Sequence, residues 1–200
     1  MKRKLIFTLL MAVLLSFTGC SGGSNSLGKT NNTAVAIAGA MKDYLKDRGK
    51  EDLALYGIEL ILNSDGNGTV KLYYTGDTPA KASYSDVYVS EVDSKTGHVE
   101  RFGKADYGKD GITPYKMVRE CRAFDAASLP IDSSAAVTAG MRAFSGDVEF
   151  YYDYVQVALS APGATERYEI RYISMLNDMI YYCTVDAVTG AVLTSSVGVL

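Results

Sequence analysis

The chain has 200 residues, with 20 basic and 23 acidic side chains, a net charge of −3 and a single histidine. This length predicts one or two small domains. The acidic balance argues against nucleic acid or an anionic lipid surface as the partner, because both need clustered positive charge.

The first predicted element is a signal peptide over residues 1–19. Lys2, Arg3 and Lys4 precede an apolar run from Leu5 to Leu15, and small residues lead to Cys20. This layout is typical of a cleavable signal, since the apolar run is shorter than the roughly 20 residues of a membrane span. Cleavage would leave 17 basic and 23 acidic residues, a net charge of −6.

The end of this segment, Phe17-Thr18-Gly19-Cys20, resembles the lipobox of bacterial lipoproteins, with phenylalanine where leucine is more common. The resemblance implies a lipid on Cys20, membrane attachment, and exposure outside the cytoplasm; an ordinary secretory signal is the alternative. The Ser/Gly/Asn-rich composition of residues 20–32 predicts a flexible tether. Its Gly23 to Thr30 stretch matches the letters of a phosphate-binding P-loop, but no strand precedes it, so we expect no nucleotide.

The remaining chain repeats one pattern. Apolar spacing predicts a helix over 33–48, capped by Thr33 and stopped by Gly49, and a second over 133–144, capped by Ser133 or Ser134. Alternating residues after each helix predict two hairpins. Both halves end in an Asp-x-x-Thr-Gly turn, which favours an Asp that bonds its own turn and a glycine at positive φ. The turn residues are Asp93, Thr96, Gly97, Asp186, Thr189 and Gly190.

The predicted fold is therefore α+β, with two tandem repeats, each a helix packed on a four-stranded antiparallel sheet. The repeats span 33–106 and 133–200, and the linker 107–132 contains a predicted short helix after Pro114. One face of each sheet would carry the helix, and the other would be open to solvent or a partner.

The strands and turns Val92 to Val99 and Tyr182 to Val192 resemble PepSY domains, and the tandem arrangement resembles the β-lactamase inhibitor protein. Such domains accompany secreted peptidases and are regarded as inhibitory or binding modules without catalysis, so a chain lacking a peptidase would regulate one in trans. We therefore expect a non-enzymatic module that engages a secreted or envelope protein such as a peptidase or cell-wall enzyme. The alternative is a structural envelope lipoprotein or a small-ligand carrier, with its cavity near Tyr107 to Ser128.

No catalytic, metal or cofactor site is predicted. An acidic hydrolase built on Asp93 and Asp186 is a weaker hypothesis, because both residues are explained by their turns. Cys121 and Cys183 could form one disulfide outside the cell or remain two buried thiols. The 15 tyrosines, with no tryptophan, suggest an interface. The expected outward positions of the binding face are Tyr73, Tyr88, Glu169 and Arg171.

Overall fold

The computed structural model describes residues 25–27, 33–78, 81–146 and 150–200. The predicted signal peptide, the lipidation site Cys20, and most of the tether, including all but three residues of its P-loop-like stretch, lie outside the described residues. In the part of the chain that is described, no helix has the length and apolar character needed to cross a membrane.

The described chain forms four α-helices and eight strands. The helices are α1 (Ala34–Lys46), α2 (Tyr107–Asp110), α3 (Thr113–Glu120) and α4 (Ser133–Ala143), with short 3-10 turns at Tyr84–Asp86 and Ala126–Ser128. The strands are β1 (Ala54–Asn63), β2 (Gly68–Thr75), β3 (Tyr88–Asp93), β4 (Val99–Lys104), β5 (Tyr154–Ser160), β6 (Arg167–Ser174), β7 (Met179–Asp186) and β8 (Val192–Val199).

All eight strands form one antiparallel sheet in the order β4-β3-β2-β1-β5-β6-β7-β8. The α+β class is confirmed, but the four strands of each predicted repeat are joined into one eight-stranded sheet. Strands β1 and β5 pair from Gly57 opposite Ser160 to Asn63 opposite Tyr154. This pairing satisfies the backbone groups along an edge that each half would otherwise leave open.

The two long helices begin beside each other. Thr33 caps α1 as predicted, accepting a hydrogen bond from the Ala36 amide at 3.4 Å. Asp132 caps α4 instead of Ser133 or Ser134, and its carboxylate accepts from the Ser133 amide. The Ser133 hydroxyl is used elsewhere, because it accepts from the Ala34 amide of α1 at 3.0 Å. The start of α4 thus satisfies amides at the start of α1.

One face of the sheet, which we call the core face, packs against α1 and α4. Its side chains alternate along each strand, as the sequence pattern predicts. Residues that share this face are almost fully buried, among them Ile58, Leu60, Leu72, Val157, Ile170 and Tyr172. Each such side chain contributes about 1.5–3 kcal/mol of burial free energy.

On the opposite face, the outer face, the helices of the described chain lie only over the first half of the sheet. Helix α3 lies on β1 and β2, where Val118 packs with Tyr56 and Val87. Gly57 permits this approach, because an added Cβ would lie 2.9 Å from the Met117 sulfur. The predicted linker helix therefore exists, and it covers half of a face that was expected to be open.

Candidate functional site

The uncovered part of the outer face lies over β5 to β8. The strand register places Gln156, Arg171, Tyr182 and Ser196 in one row across it. Ala158, Glu169, Thr184 and Thr194 form the next row. We call these two rows the open face. The side chain of Tyr182 is 39% exposed, and the Arg171 guanidinium lies 5.9 Å from the centre of its ring.

A groove runs along the boundary between the open face and α3. It has a volume of about 430 Å³, and its lining includes Ile61, Lys116, Glu120, Cys121, Glu169 and Arg171. Ile61, at the end of β1, is 50% exposed. The lining thus combines positive charge, negative charge and apolar surface. Such a groove is suited to a polar peptide segment that contains one apolar side chain.

Charged side chains alternate in sign on the outer face of the first half. Arg101, Glu91, Lys71 and Glu59 are successive cross-strand neighbours. Glu91 lies 3.5 Å from Arg101 and 4.0 Å from Lys71. Opposite charges placed directly across a sheet stabilise its register. This row is not among the residues predicted from the sequence, although the outward positions of four adjacent strands indicate it.

Arg101 also ties the linker to the sheet. It forms a two-pronged ion pair with Asp110 at the end of α2. Burial would raise the pKa of Asp110, but hydrogen bonds from Arg101 and the Asp106 amide outweigh it and lower that pKa. This pair helps to hold α2 over the first half of the sheet.

The four predicted binding residues do not share one surface. Glu169 and Arg171 lie together on the open face. Tyr73 is on the outer face but only 2% exposed, and its hydroxyl donates to Glu59. Desolvation and the Glu59 charge raise the pKa of Tyr73. Tyr88 is half-buried on the core face, stacked on Phe102. The outward placement predicted for Tyr88 is wrong, whereas Tyr73 has an outward position but is buried there.

Both Asp-x-x-Thr-Gly turns have the predicted geometry. The Asp93 carboxylate accepts from the amide and hydroxyl of Thr96, both at 2.7 Å. Asp186 accepts from the amide and hydroxyl of Thr189 at 2.7 and 3.0 Å. The turn glycines, Gly97 and Gly190, have φ of +68° and +74°.

These two turns lie at opposite ends of the strands. Asp93 pairs with Thr69, which pairs in turn with Ile61 near the end of β1. Asp186 pairs with Arg167, which pairs in turn with Ser160 at the end of β5. The two carboxylates therefore do not meet as a general acid and base. Each is occupied by its own turn, which gives both residues a structural role.

Cys121 and Cys183 are free thiols on opposite faces of the sheet. Cys121 borders the groove, while Cys183 is buried on the core face near Gly140. Burial raises the pKa of both thiols, that of Cys183 to about 11. Since a disulfide needs closely apposed Cβ atoms, the sheet between them prevents the bridge considered from the sequence.

Within the described residues, no group of three or more His, Cys, Asp or Glu side chains is arranged to hold a metal ion. The histidine, His98, is exposed at the start of β4 and pairs through its backbone with Ser26. Residues 25–27 of the predicted tether are thus fixed to the β3–β4 turn by bonds such as Val99 N–H to the Asn25 carbonyl at 2.7 Å.

No family model matches the chain. No curated protein matches it in sequence either. Among solved structures, the crystal structure of a candidate lipoprotein from Clostridium difficile 630 is similar, with a TM-score of 0.45 and 15% sequence identity. The matched region covers 80% of this chain and 91% of the other.

Proposed function

We propose that the chain is a membrane-anchored, extracytoplasmic binding or inhibitory module that engages a secreted or envelope protein through its open face. The observation that carries this proposal is the uneven cover of the sheet. Helices α2 and α3 occupy the outer face of the first half, whereas the open face presents Arg171, Tyr182 and their neighbours to solvent. Catalysis forms no part of the proposed role.

The composition of this surface supports a protein as the partner. Tyrosine and arginine are enriched at the energetic centres of protein interfaces. Arg171 and Tyr182 are adjacent across β6 and β7, and the exposed Ile61 lies at the edge of the groove. A partner loop whose apolar side chain entered the groove would bury Ile61 and bring its polar flanks to Glu169 and Arg171.

The proposed anchor places this surface outside the cytoplasm. If Cys20 carries lipid, the five residues to Asn25 span at most about 18 Å. Asn25 is hydrogen-bonded to Val99, so the β3–β4 turn would remain close to the membrane. The tether would then restrict the orientation of the domain more than a free linker of 13 residues.

The proposed family is PepSY, with one repeat in each half of the chain. Two features support an origin by repetition: the strand order is symmetric about the β1–β5 pair, and the Asp93 and Asp186 turns contain equivalent hydrogen bonds. The resemblance favours a peptidase or cell-wall enzyme as the target, inhibited in trans.

The test is capture and inhibition with a matched pair of variants. The chain with Cys20 replaced serves as bait for envelope and secreted fractions, and captured hydrolases are assayed with added bait. Tyr182→Ala combined with Arg171→Glu should weaken inhibition at least tenfold. Tyr151→Ala combined with Arg142→Glu changes the same residue types at exposed positions away from the open face, and should have no effect. Equal inhibition by both double variants would refute the proposed surface.

A small-ligand carrier is the second candidate, favoured by the groove itself. Its volume of about 430 Å³ lies within the range of small-molecule sites, about 300–1,000 Å³. Native mass spectrometry of protein purified from its own membranes would detect a bound compound. A compound released by Ile61→Arg, but retained in the Tyr151→Ala control, would favour this function over protein binding.

A further inference from the structure

The two edges of the sheet differ in how they are protected. At one edge, β4 carries Glu100, Arg101 and Lys104, and Ser26 pairs beside its first residues. Charged side chains and covering segments are the usual means by which sheets prevent their edges from pairing with other strands. The β4 edge therefore has both forms of protection.

The other edge, β8, carries no charged side chain, and no segment among the described residues pairs along it. Val192–Val199 contains no charged residue and no proline, and every position except Gly198 is exposed. Val197 and Val199 lie opposite Tyr181 and Met179 on the core face, yet they are 47% and 77% exposed. Among the described strands, β8 pairs only with β7. A long, uncharged, apolar edge is a template for another strand.

The backbone of β8 presents this template in a regular form. A bulge interrupts its pairing near Val192, but Thr194–Val199 is in continuous register with β7. The Leu200 amide donates to Asp178 on the β7 side at 3.0 Å. Because amides alternate sides along a strand, those of Val197 and Ser195 point away from β7.

We propose that β8 pairs antiparallel with β8 of a second copy of this chain, joining two sheets into one of sixteen strands. A two-fold axis at Ser195 would place Ser195 opposite its own copy, Thr194 opposite Ser196, and Leu193 opposite Val197. The apolar ends of the strand thus meet around a small, polar centre. The absence of charge from both partners removes the repulsion that normally prevents such isologous pairing.

This pairing is independent of the proposed enzyme target. Dimer formation would involve edge residues of β8 such as Val197. Arg171 on β6, two strands from that edge, and the groove beyond it lie outside the contact. Loss of the dimer and loss of target inhibition are therefore distinguishable, since different substitutions address them.

The first test is disulfide trapping of the full-length chain in the membranes of a bacterial host. Cys121→Ser removes the half-exposed thiol, and Ser195→Cys places a new one on the proposed axis. Mild oxidation followed by non-reducing electrophoresis should give a dimer band at least five times stronger than that of Glu100→Cys, the matched control on the β4 edge. Val197→Cys would give the stronger dimer band if the two-fold axis lay at Val197 instead of Ser195.

The second test is sedimentation of the detergent-solubilised full-length chain over a range of concentrations. Val197→Lys should raise the dimer Kd at least tenfold, because each lysine would lie opposite Leu193 of the second copy and place a charge in the apolar part of the contact. Glu100→Lys should leave the dimer Kd unchanged. A chain that stays monomeric and gives no dimer band at Ser195 or Val197 overturns the proposal. A β8 adduct with a protein of another mass also overturns it, in favour of an extended segment of a different partner.

Discussion

At the residue scale, the turn glycines Gly97 and Gly190 have positive φ, which few other residues adopt without strain. Gly190 has φ +74°, and a Cβ there would lie 3.3 Å from Ile131. We expect Gly190→Val to lower the free energy of unfolding by about 1–3 kcal/mol, because a β-branched residue is strained at positive φ. Chemical denaturation measures this. Gly103→Val is the control, since Gly103 has neither positive φ nor a neighbour within 4 Å of an added Cβ. Equal stability of the two variants would contradict the turn assignment.

The same turn predicts a pH effect. Hydrogen bonds from the Thr189 amide and hydroxyl, and from the Val188 amide, lower the pKa of Asp186. A carboxylate with a lowered folded pKa stabilises the fold above its unfolded pKa of about 3.9, and this contribution disappears as pH falls through the folded value. Thr189→Val should raise the pKa of Asp186 measured by NMR and weaken the loss of stability on acidification. Thr194→Val should change neither.

At the scale of elements, the contact between the two helix starts is the clearest target. Ser133 is 2% exposed, and its hydroxyl accepts from the Ala34 amide of the other helix. Ser133→Ala should lower the free energy of unfolding by about 1–2 kcal/mol, since a buried donor loses its partner. Ser134→Ala is the matched control at the next, exposed position, and urea denaturation should detect little change there. An equally small change in both variants would mean that the hydrogen bond between the Ser133 hydroxyl and the Ala34 amide contributes nothing measurable to stability.

The elements that could be predicted from sequence are those formed by local interactions. Thr33 begins α1 and the Asp93 and Asp186 turns connect their strands, because caps and turns depend on residues a few positions apart. The β1–β5 pairing is non-local, and alternation along β1 does not specify its neighbour. Helix α3 and the Arg101–Asp110 pair also make non-local contacts with the sheet, so the burial of Tyr73, outward by alternation, could not be predicted from its own strand.

At the scale of the whole molecule, the continuous sheet changes how the two halves should unfold. Leu60 and Val157 face each other across β1 and β5, at 0% and 1% exposure. The Ala34–Ser133 hydrogen bond adds a second link. Neither half can lose its structure without exposing the apolar surface and backbone edge of the other, so the halves should unfold together.

Differential scanning calorimetry of the chain should therefore give one transition, with calorimetric and van't Hoff enthalpies equal. Leu60→Ala should lower stability by about 2–5 kcal/mol through the cavity it leaves, and it should shift the whole transition. Leu176→Ala, at a side chain that is 80% exposed, is the control and should leave the melting temperature unchanged. Two separate transitions, with only one displaced by Leu60→Ala, would mean that the repeats are independent domains and that the β1–β5 pair does not couple them.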